Sequence, residues 1–254
     1  MKNLAIKRYN CLKFSKNKWI EDEIAVPNEV DVKIFLNNKK LVNILCTPVD
    51  VEDLIIGFLF AEGIIEKYSD INEFIIDEKN FKVSVIINKE FSFSNNELTY
   101  TSGFGKGIML RTEGKIVNSD FKIKPENIIQ LMEDFQNSLE IYKISGAVHA
   151  SCLASKENVL VVKEDIGRHN TFDKIVGECL KKNLKTSDKI VFTTGRISTE
   201  MLLKSSRLNI PVVVTMKSPT ANTVKLAEKL NIAVIGKVKN NSLVVFCNKW
   251  RVYN

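Results

Sequence analysis

The chain is poor in the residues that staple or anchor a protein. Its 254 residues include only five cysteines, an odd number without a paired motif, which argues against a secreted disulfide framework. Long hydrophobic runs are missing as well. Leu54 to Ala61 is too short to span a bilayer, and the charged N-terminus has no apolar core adequate for export, so no membrane partner is expected and the cytoplasm is the simplest location. No internal repeat, low-complexity tract or long flexible linker interrupts the sequence. What it has in excess is positive charge, 37 Lys and Arg against 30 Asp and Glu, a formal +7 that favours anionic partners. Nucleic acid is not the expected anion, because no groove-reading motif or base-stacking aromatic array is present.

Chemistry concentrates in the second half. Between Val162 and Lys174, nine polar functional side chains occupy thirteen positions directly after an apolar, strand-like run. Gly167 permits a sharp reversal, and Ile175, Val176, Cys179 and Leu180 continue in helical spacing, so Arg168 to Lys174 falls at a helix entrance where backbone donors favour anions. The same residues also fit a solvated ion-pair network of Glu164, Asp165, Arg168 and Lys174, with His169 as a structural histidine. The design repeats downstream. Lys189 to Phe192 reads as a strand running into Thr194, Gly195 and Arg196, with Ser198 as the cap of the next helix. Ile210 to Thr215 reads as another strand, followed by Met216 to Thr220, a helix from Ala221 to Leu230 that Asn231 ends, and a strand at Ile232 to Ile235. This alternation predicts an α/β layer with a largely parallel sheet, whose ligands gather at the carboxyl ends of strands.

The first half has a different texture. Val30 to Leu36 and Leu41 to Cys46 alternate as a hairpin around Asn37 to Lys40, Thr47 is the candidate cap of a helix closed by Gly63, and Phe74 to Ile76 pairs with Phe81 to Ile87. Residues 1–120 are therefore expected to form a smaller α+β domain. A helix from about Pro125 to Tyr142, with an apolar stripe of Ile128, Ile129, Met132, Phe135 and Leu139, leads into the main layer, residues 121–254.

Taken together, Glu164 to Asn170 with Asp173 and Lys174, Thr194 to Arg196 with Ser198 and Glu200, and Ser218 to Thr220 resemble the FdhD family of sulfur carrier proteins required for formate dehydrogenase activity. Thr47 to Asp50, Gly57 to Leu59 and Glu62 to Ile65 extend the likeness over most of the chain. The resemblance implies a cytidine deaminase-like fold for the C-terminal layer. It implies sulfane sulfur taken from a cysteine desulfurase and passed to the molybdenum bis(molybdopterin guanine dinucleotide) cofactor before insertion into formate dehydrogenase, and it makes a homodimer the expected assembly. No metal site is implied, since the deaminase pattern of zinc ligands is missing.

By the same resemblance, the persulfide-bearing cysteine belongs in the loop of Ser102, Gly103, Phe104, Gly105, Lys106 and Gly107, and Phe104 stands in its place. A phenyl ring cannot hold sulfur, because the reactive species is a thiolate. Three accounts stay open: a member that binds cofactor without catalysis, an altered sequence, or recruitment of another thiol, with Cys152 near His149 the leading candidate and Cys179 and Cys247 behind it. Without the resemblance, the segment reads as a plain glycine-rich surface loop. The family's cofactor-binding segment corresponds to Lys237, Val238, Lys239, Asn240, Asn241 and Ser242, which without the resemblance would read as a hairpin tip. The resulting expectation places Arg168, Lys174, Arg196 and the 237–242 turn around phosphates and guanine. Glu164, Asp165, Asn170 and Asp173 would orient them, and His169 would act as a polar contact or proton relay.

Overall fold

The computed structural model describes residues 4–88 and 114–253, with the backbone of two short paired strands, β7 (Thr99–Tyr100) and β8 (Ile108–Met109), between them. The chain starts with a projecting hairpin, β1 (Ile6–Ser15) and β2 (Lys18–Pro27). A four-stranded sheet follows, built from β3 (Val30–Leu36), β4 (Lys39–Cys46), β5 (Ile71–Asp77) and β6 (Lys82–Ile87) in the order β4-β3-β6-β5. Asn37 and Asn38 both take positive φ in the two-residue β3–β4 turn, a conformation asparagine tolerates and right-twisted hairpins prefer. Helix α1 (Val51–Ala61) lies on this sheet.

The second half is one six-stranded sheet with helices on both faces. Its strands are β9 (His149–Ala154), β10 (Val159–Asp165), β11 (Ile190–Thr193), β12 (Val212–Thr215), β13 (Ala233–Lys239) and β14 (Ser242–Cys247), in the order β10-β9-β11-β12-β13-β14. Its helices are α2 (Pro125–Ser138), α3 (Ile141–Ser145), α4 (Arg168–Lys181), α5 (Thr199–Arg207) and α6 (Ala221–Leu230). The expected parallel sheet is corrected to a mixed one. Only β11, β12 and β13 run parallel, joined through α5 and α6, whereas the short β9–β10 and β13–β14 connections enforce antiparallel pairing. Ser198 and Thr220 cap α5 and α6 through their hydroxyls, and Asn231 ends α6 in the left-handed region.

Alternation along these strands divides two apolar clusters. Cys152, Phe192, Val212, Val214 and Ile235 face α2, which contributes Ile128, Leu131, Met132 and Phe135. Leu153, Val191, Val213 and Val234 face the opposite way, into a cluster that also holds Phe172, Ile175 and Val176 of α4 and extends through Leu54, Ile55 and Ile56 to Val32, Ile34 and Val83 of the smaller sheet. One continuous core thus crosses residue 120. Because α1 is sandwiched between the four-stranded sheet and α4, it is apolar almost all round, without the usual polar stripe. Among the described residues, no helix is long and apolar enough to cross a membrane.

The α1–α4 contact is antiparallel and set by two glycines. A Cβ added to Gly57 would lie 1.8 Å from the carbonyl oxygen of Asp173, and one on Gly177 would lie 1.9 Å from that of Asp53. Backbone therefore meets backbone at both crossings, with no room for a methyl group. Gly177→Ala should force the helices apart and cost about 3 kcal/mol, the upper range for overpacking, read as a lower urea midpoint with unchanged m-value. A wild-type midpoint would mean that the helices are not packed this closely.

Candidate functional site

All the polar clusters read from the sequence reach one edge of the six-stranded sheet. The carboxyl ends of β10, β11, β12 and β13 and the start of β9 share that edge, since Asp165 pairs with His149, Thr193 with Ser151 and Thr215, and Val214 with Ile235. The turn after β11 is tied to the turn after β12: Thr215 donates its hydroxyl to the Gly195 carbonyl at 2.6 Å, and Ile197 bridges Pro219. That second turn is tied in turn to the β13–β14 hairpin, where the Lys237 amide donates to the Lys217 carbonyl at 2.7 Å. Asn240 and Asn241 take positive φ at the hairpin tip, as does Lys237 at its base. Arg196, Lys217, Lys237 and Lys239 are exposed along this edge, and Asn240, Asn241 and Ser242 with them, while Val238 is buried. Strands lie about 4.8 Å apart, so two strand steps place the Arg196 turn roughly 10 Å from the hairpin.

The acidic and basic residues of the first cluster divide into two kinds. Asp165 and Lys174 are fully buried and paired at 2.6 Å. Lys174 donates to Asp165, to the Thr47 hydroxyl and to the Glu164 carbonyl. Asp165 accepts further from the Thr47 amide and hydroxyl, the Gly167 amide and the Asn170 side chain. Asn170 also donates to the Leu45 carbonyl. Thr47, expected to cap α1, is corrected here: the helix starts at Val51, and both polar groups of Thr47 are drawn into the buried ion pair instead. The Glu164 carboxylate caps α3, accepting the amides of Glu140, Ile141 and Tyr142. Asp173 accepts from Lys204 at 2.6 Å, and burial still pushes its carboxyl above the usual range. Glu164, Asp165, Asn170, Asp173 and Lys174 are thus bonded within the fold and shape the edge from behind.

Arg168, His169, Thr194, Gly195 and Arg196 sit in front of them with His149. A Cβ on Gly195 would meet the Arg168 side chain at 3.1 Å and His149 Nδ1 at 3.6 Å, so the glycine admits both. Burial and the neighbouring Arg196 lower the Arg168 pKa against the pull of Glu200. His149 Nδ1 lies 3.4 Å from the Thr194 hydroxyl, and burial and Arg168 keep its imidazole below the ordinary range. His169 Nδ1 lies 3.3 Å from Glu200 Oε2. That separation would suit an ion pair, but burial, Lys204, Arg168 and His149 drive the imidazole pKa down to about 3. We therefore read the contact as a neutral ring lying against the carboxylate rather than as an ion pair.

The chain as a whole has close counterparts. The chain matches the FdhD/NarQ family over residues 27–253. It is 33% identical over 253 residues to the sulfur carrier protein FdhD of Bacillus subtilis, covering 96% of this chain and 95% of that one, and 33% identical over 257 residues to the namesake in Listeria innocua, covering 97% and 98%. The chain belongs to the FdhD/NarQ family. Its fold also matches the crystal structure of a protein described as a formate dehydrogenase accessory protein from Desulfotalea psychrophila, with a TM-score of 0.80 and 23% identity, covering 98% of this chain and all of that one.

Against that FdhD/NarQ background, four of the five thiols are buried away from any reactant. Cys46 and Cys179 are buried and pushed up to about 12, burial raises Cys247, and Cys152 lies wholly within the core with its thiol held well above the ordinary range. Cys11, half-buried on β1, donates its Sγ to the Asp22 carbonyl. Ser102, Gly103, Phe104, Gly105, Lys106 and Gly107 lie outside the described residues. The sequence reading passed over three members of the edge. His149 was weighed only as an activator of Cys152, Lys217 only as part of a motif, and Lys204 not at all. The register of β9 against β11 brings in His149, which no spacing along the chain reveals.

Two outcomes test this arrangement. Lys174→Met leaves the Asp165 charge buried and alone and should destabilise the fold by about 3 to 5 kcal/mol in urea unfolding; a loss below 1 kcal/mol would mean that the pair is dispensable. For His169, stability is fully present above its ordinary pKa of 6.5. It falls as the pH drops from there towards about 3, because the unfolded chain takes up a proton that the folded site refuses. His169→Gln should flatten the pH dependence of the urea midpoint between pH 7 and pH 4; parallel curves for the two proteins would contradict a buried neutral imidazole.

Proposed function

We propose that this chain serves formate dehydrogenase maturation by holding the molybdenum bis(molybdopterin guanine dinucleotide) cofactor as cargo along the exposed edge of β11, β12 and β13. The observation that carries this reading is the convergence of cation-bearing turns from Arg168, Arg196, Lys217 and the Lys237–Ser242 hairpin on that one edge. Guanidinium groups suit bidentate phosphate recognition, lysines add point charges, and the exposed hairpin supplies amide donors and acceptors for a base. The accessory-protein title of the matching fold supports the wider role in formate dehydrogenase maturation. In this reading the C-terminal layer is a cytidine deaminase-like scaffold used for binding without zinc. The chain works as a cytoplasmic homodimer, with formate dehydrogenase as the recipient.

Sulfur carriage is the second reading, favoured by membership of a family whose relatives are named sulfur carriers. It requires a thiolate that accepts sulfane sulfur from a cysteine desulfurase and later yields it to the cofactor. Phe104 cannot supply one, and four of the five cysteines are buried with raised pKa values. The residues present therefore support cargo binding more directly than sulfur transfer.

A titration with the guanine dinucleotide cofactor, repeated on Arg168→Ala and Lys239→Ala, tests the binding site. Each substitution should weaken binding about tenfold or more, the worth of one charge-assisted contact; unchanged affinity in both removes the site. Incubation with a cysteine desulfurase separates the two readings. The wild type should stay free of persulfide and Phe104→Cys should acquire it, whereas persulfide on the wild-type chain would restore sulfur carriage through another thiol.

A further inference from the structure

Among the described residues, eight of the twenty large apolar side chains left exposed lie between Leu4 and Val26, on the β1–β2 ribbon and its root. Single exposed apolar residues are ordinary, but a concentration of this kind marks a contact surface. The root is fixed to the body. Ala5 and Ile6 share an apolar cluster with Val49, Ile141, Val148 and Ile166, and Asn28 donates its amide to the Ala5 carbonyl and its side chain to that of Leu4. Val148 and Ile166 immediately precede His149 and Gly167, so the ribbon springs from beside the carboxyl edge of the six-stranded sheet. Ten residues in each strand, at about 3.3 Å apiece, carry its far end roughly 30 Å from that root.

The far end has a composition of its own. Phe14 and Trp19 form a tilted ring pair with centroids 5.1 Å apart, on the same face as Leu12, whereas Ile20 stands opposite Lys13 on the other face. Trp19 is 68% exposed and Leu12 66%, so the fold covers only about a third of either residue. Residues 12–20 also carry Lys13, Lys16 and Lys18 and no acid. Acids begin just behind, where Asp22 pairs with Lys13 and Glu23 with Arg8. A two-stranded ribbon is marginal in water on its own, and exposed tryptophan is the commonest anchor of a protein interface.

Charge and polarity choose among the possible occupants. A bilayer would have to take up the polar apex, Ser15 to Lys18, ahead of the aromatic pair, at high cost. Two ribbons meeting tip to tip would crowd like-charged lysines together. A protein groove with an apolar floor and a carboxylate rim satisfies the rings and the lysines at once. The root then indicates which protein, because whatever grips the tip is held alongside the cargo edge, where an acceptor of the cargo has to stand. We propose that the β1–β2 ribbon is a docking arm for the cargo's recipient, cofactor-free formate dehydrogenase, seating Leu12, Phe14 and Trp19 in an apolar groove whose carboxylates meet Lys13, Lys16 and Lys18. The inference rests on the cargo-binding reading above and adds the surface through which the recipient is engaged.

Cofactor-free formate dehydrogenase, titrated into the full-length protein, should bind it and shift tryptophan emission to the blue, a shift that Trp19→Phe abolishes. The double variant Phe14→Ser, Trp19→Ser and, independently, the triple variant Lys13→Glu, Lys16→Glu, Lys18→Glu should each weaken that binding at least tenfold, and added salt should weaken the wild type. Affinity for the guanine dinucleotide cofactor should stay at the wild-type value in both variants, which also shows that they fold. Wild-type affinity of both variants for the apoenzyme overturns the proposal. So does a loss confined to self-association in sedimentation, which makes the ribbon an interface between two copies, or to pelleting with phosphatidylserine vesicles, which makes it a lipid anchor. A wild type that binds cofactor and ignores the apoenzyme sinks the docking arm alone. Tip-dependent apoenzyme binding by a wild type that takes no cofactor sinks the cargo site and upholds the arm.

Discussion

The buried contact between Lys174 and Asp165, with Thr47 wedged against both, is the joint on which this protein's architecture depends. Removing two charges from water is costly, and only full hydrogen bonding offsets the cost. Here the ammonium has three acceptors and the carboxylate five donated bonds. Those partners come from the exit of β4, the end of β10 and the start of α4. A single polar knot therefore fixes the smaller sheet to the six-stranded one and sets where α4 begins. Beside it, the paired glycines of α1 and α4 let the helix backbones touch, and the two features together hold the layers in register.

The knot also explains how one short stretch can be crowded with charge yet present few charges to a ligand. Glu164, Asp165, Asp173 and Lys174 turn inward, each with protein partners, and Arg168 and His169 remain at the front. A second internal network, Lys163 among Asp50, Asp53 and Glu178, lies on the same face of β10, one turn further along α4. There burial opposes the lysine's charge, but its hydrogen bonds to Asp53 and Glu178 outweigh that and raise its pKa. The front of the sheet is left with guanidinium, ammonium and imidazole groups, a composition that favours anions.

Membership of the FdhD/NarQ family and the chemistry of this chain's thiols pull in different directions. A sulfur carrier needs an accessible cysteine with a depressed pKa, and burial does the opposite to Cys46, Cys152, Cys179 and Cys247. Binding of cargo and loading of sulfur are separable demands. The proposed binding edge is built from residues far in sequence from position 104, so it does not depend on the residue that stands there.

Much of the fold was legible along the chain. The Asn37–Asn38 and Asn240–Asn241 turns, the Ser198 cap and the Asn231 stop each depend on local backbone chemistry, and the apolar periods of α2, α4 and β12 follow from which face must be dry. Composition and the order of motifs likewise sufficed to indicate family and to rule out a disulfide scaffold. Other features depended on contacts between segments far apart in sequence. Thr47 looked like a helix cap because its neighbours are right for one, until Asp165, 118 residues away, captured it. The direction of β9 and β10 and the division of charges into buried, paired groups and groups lining the sheet edge were equally invisible, as was the meeting of His149 with Thr194 and of His169 with Glu200. The sequence by itself determined the elements and their chemistry, since turns, caps and periodicity act within a few residues. Only the tertiary structure decided which polar groups satisfy one another and which face a ligand, because burial and hydrogen-bond partnership belong to pairs of segments brought together by folding.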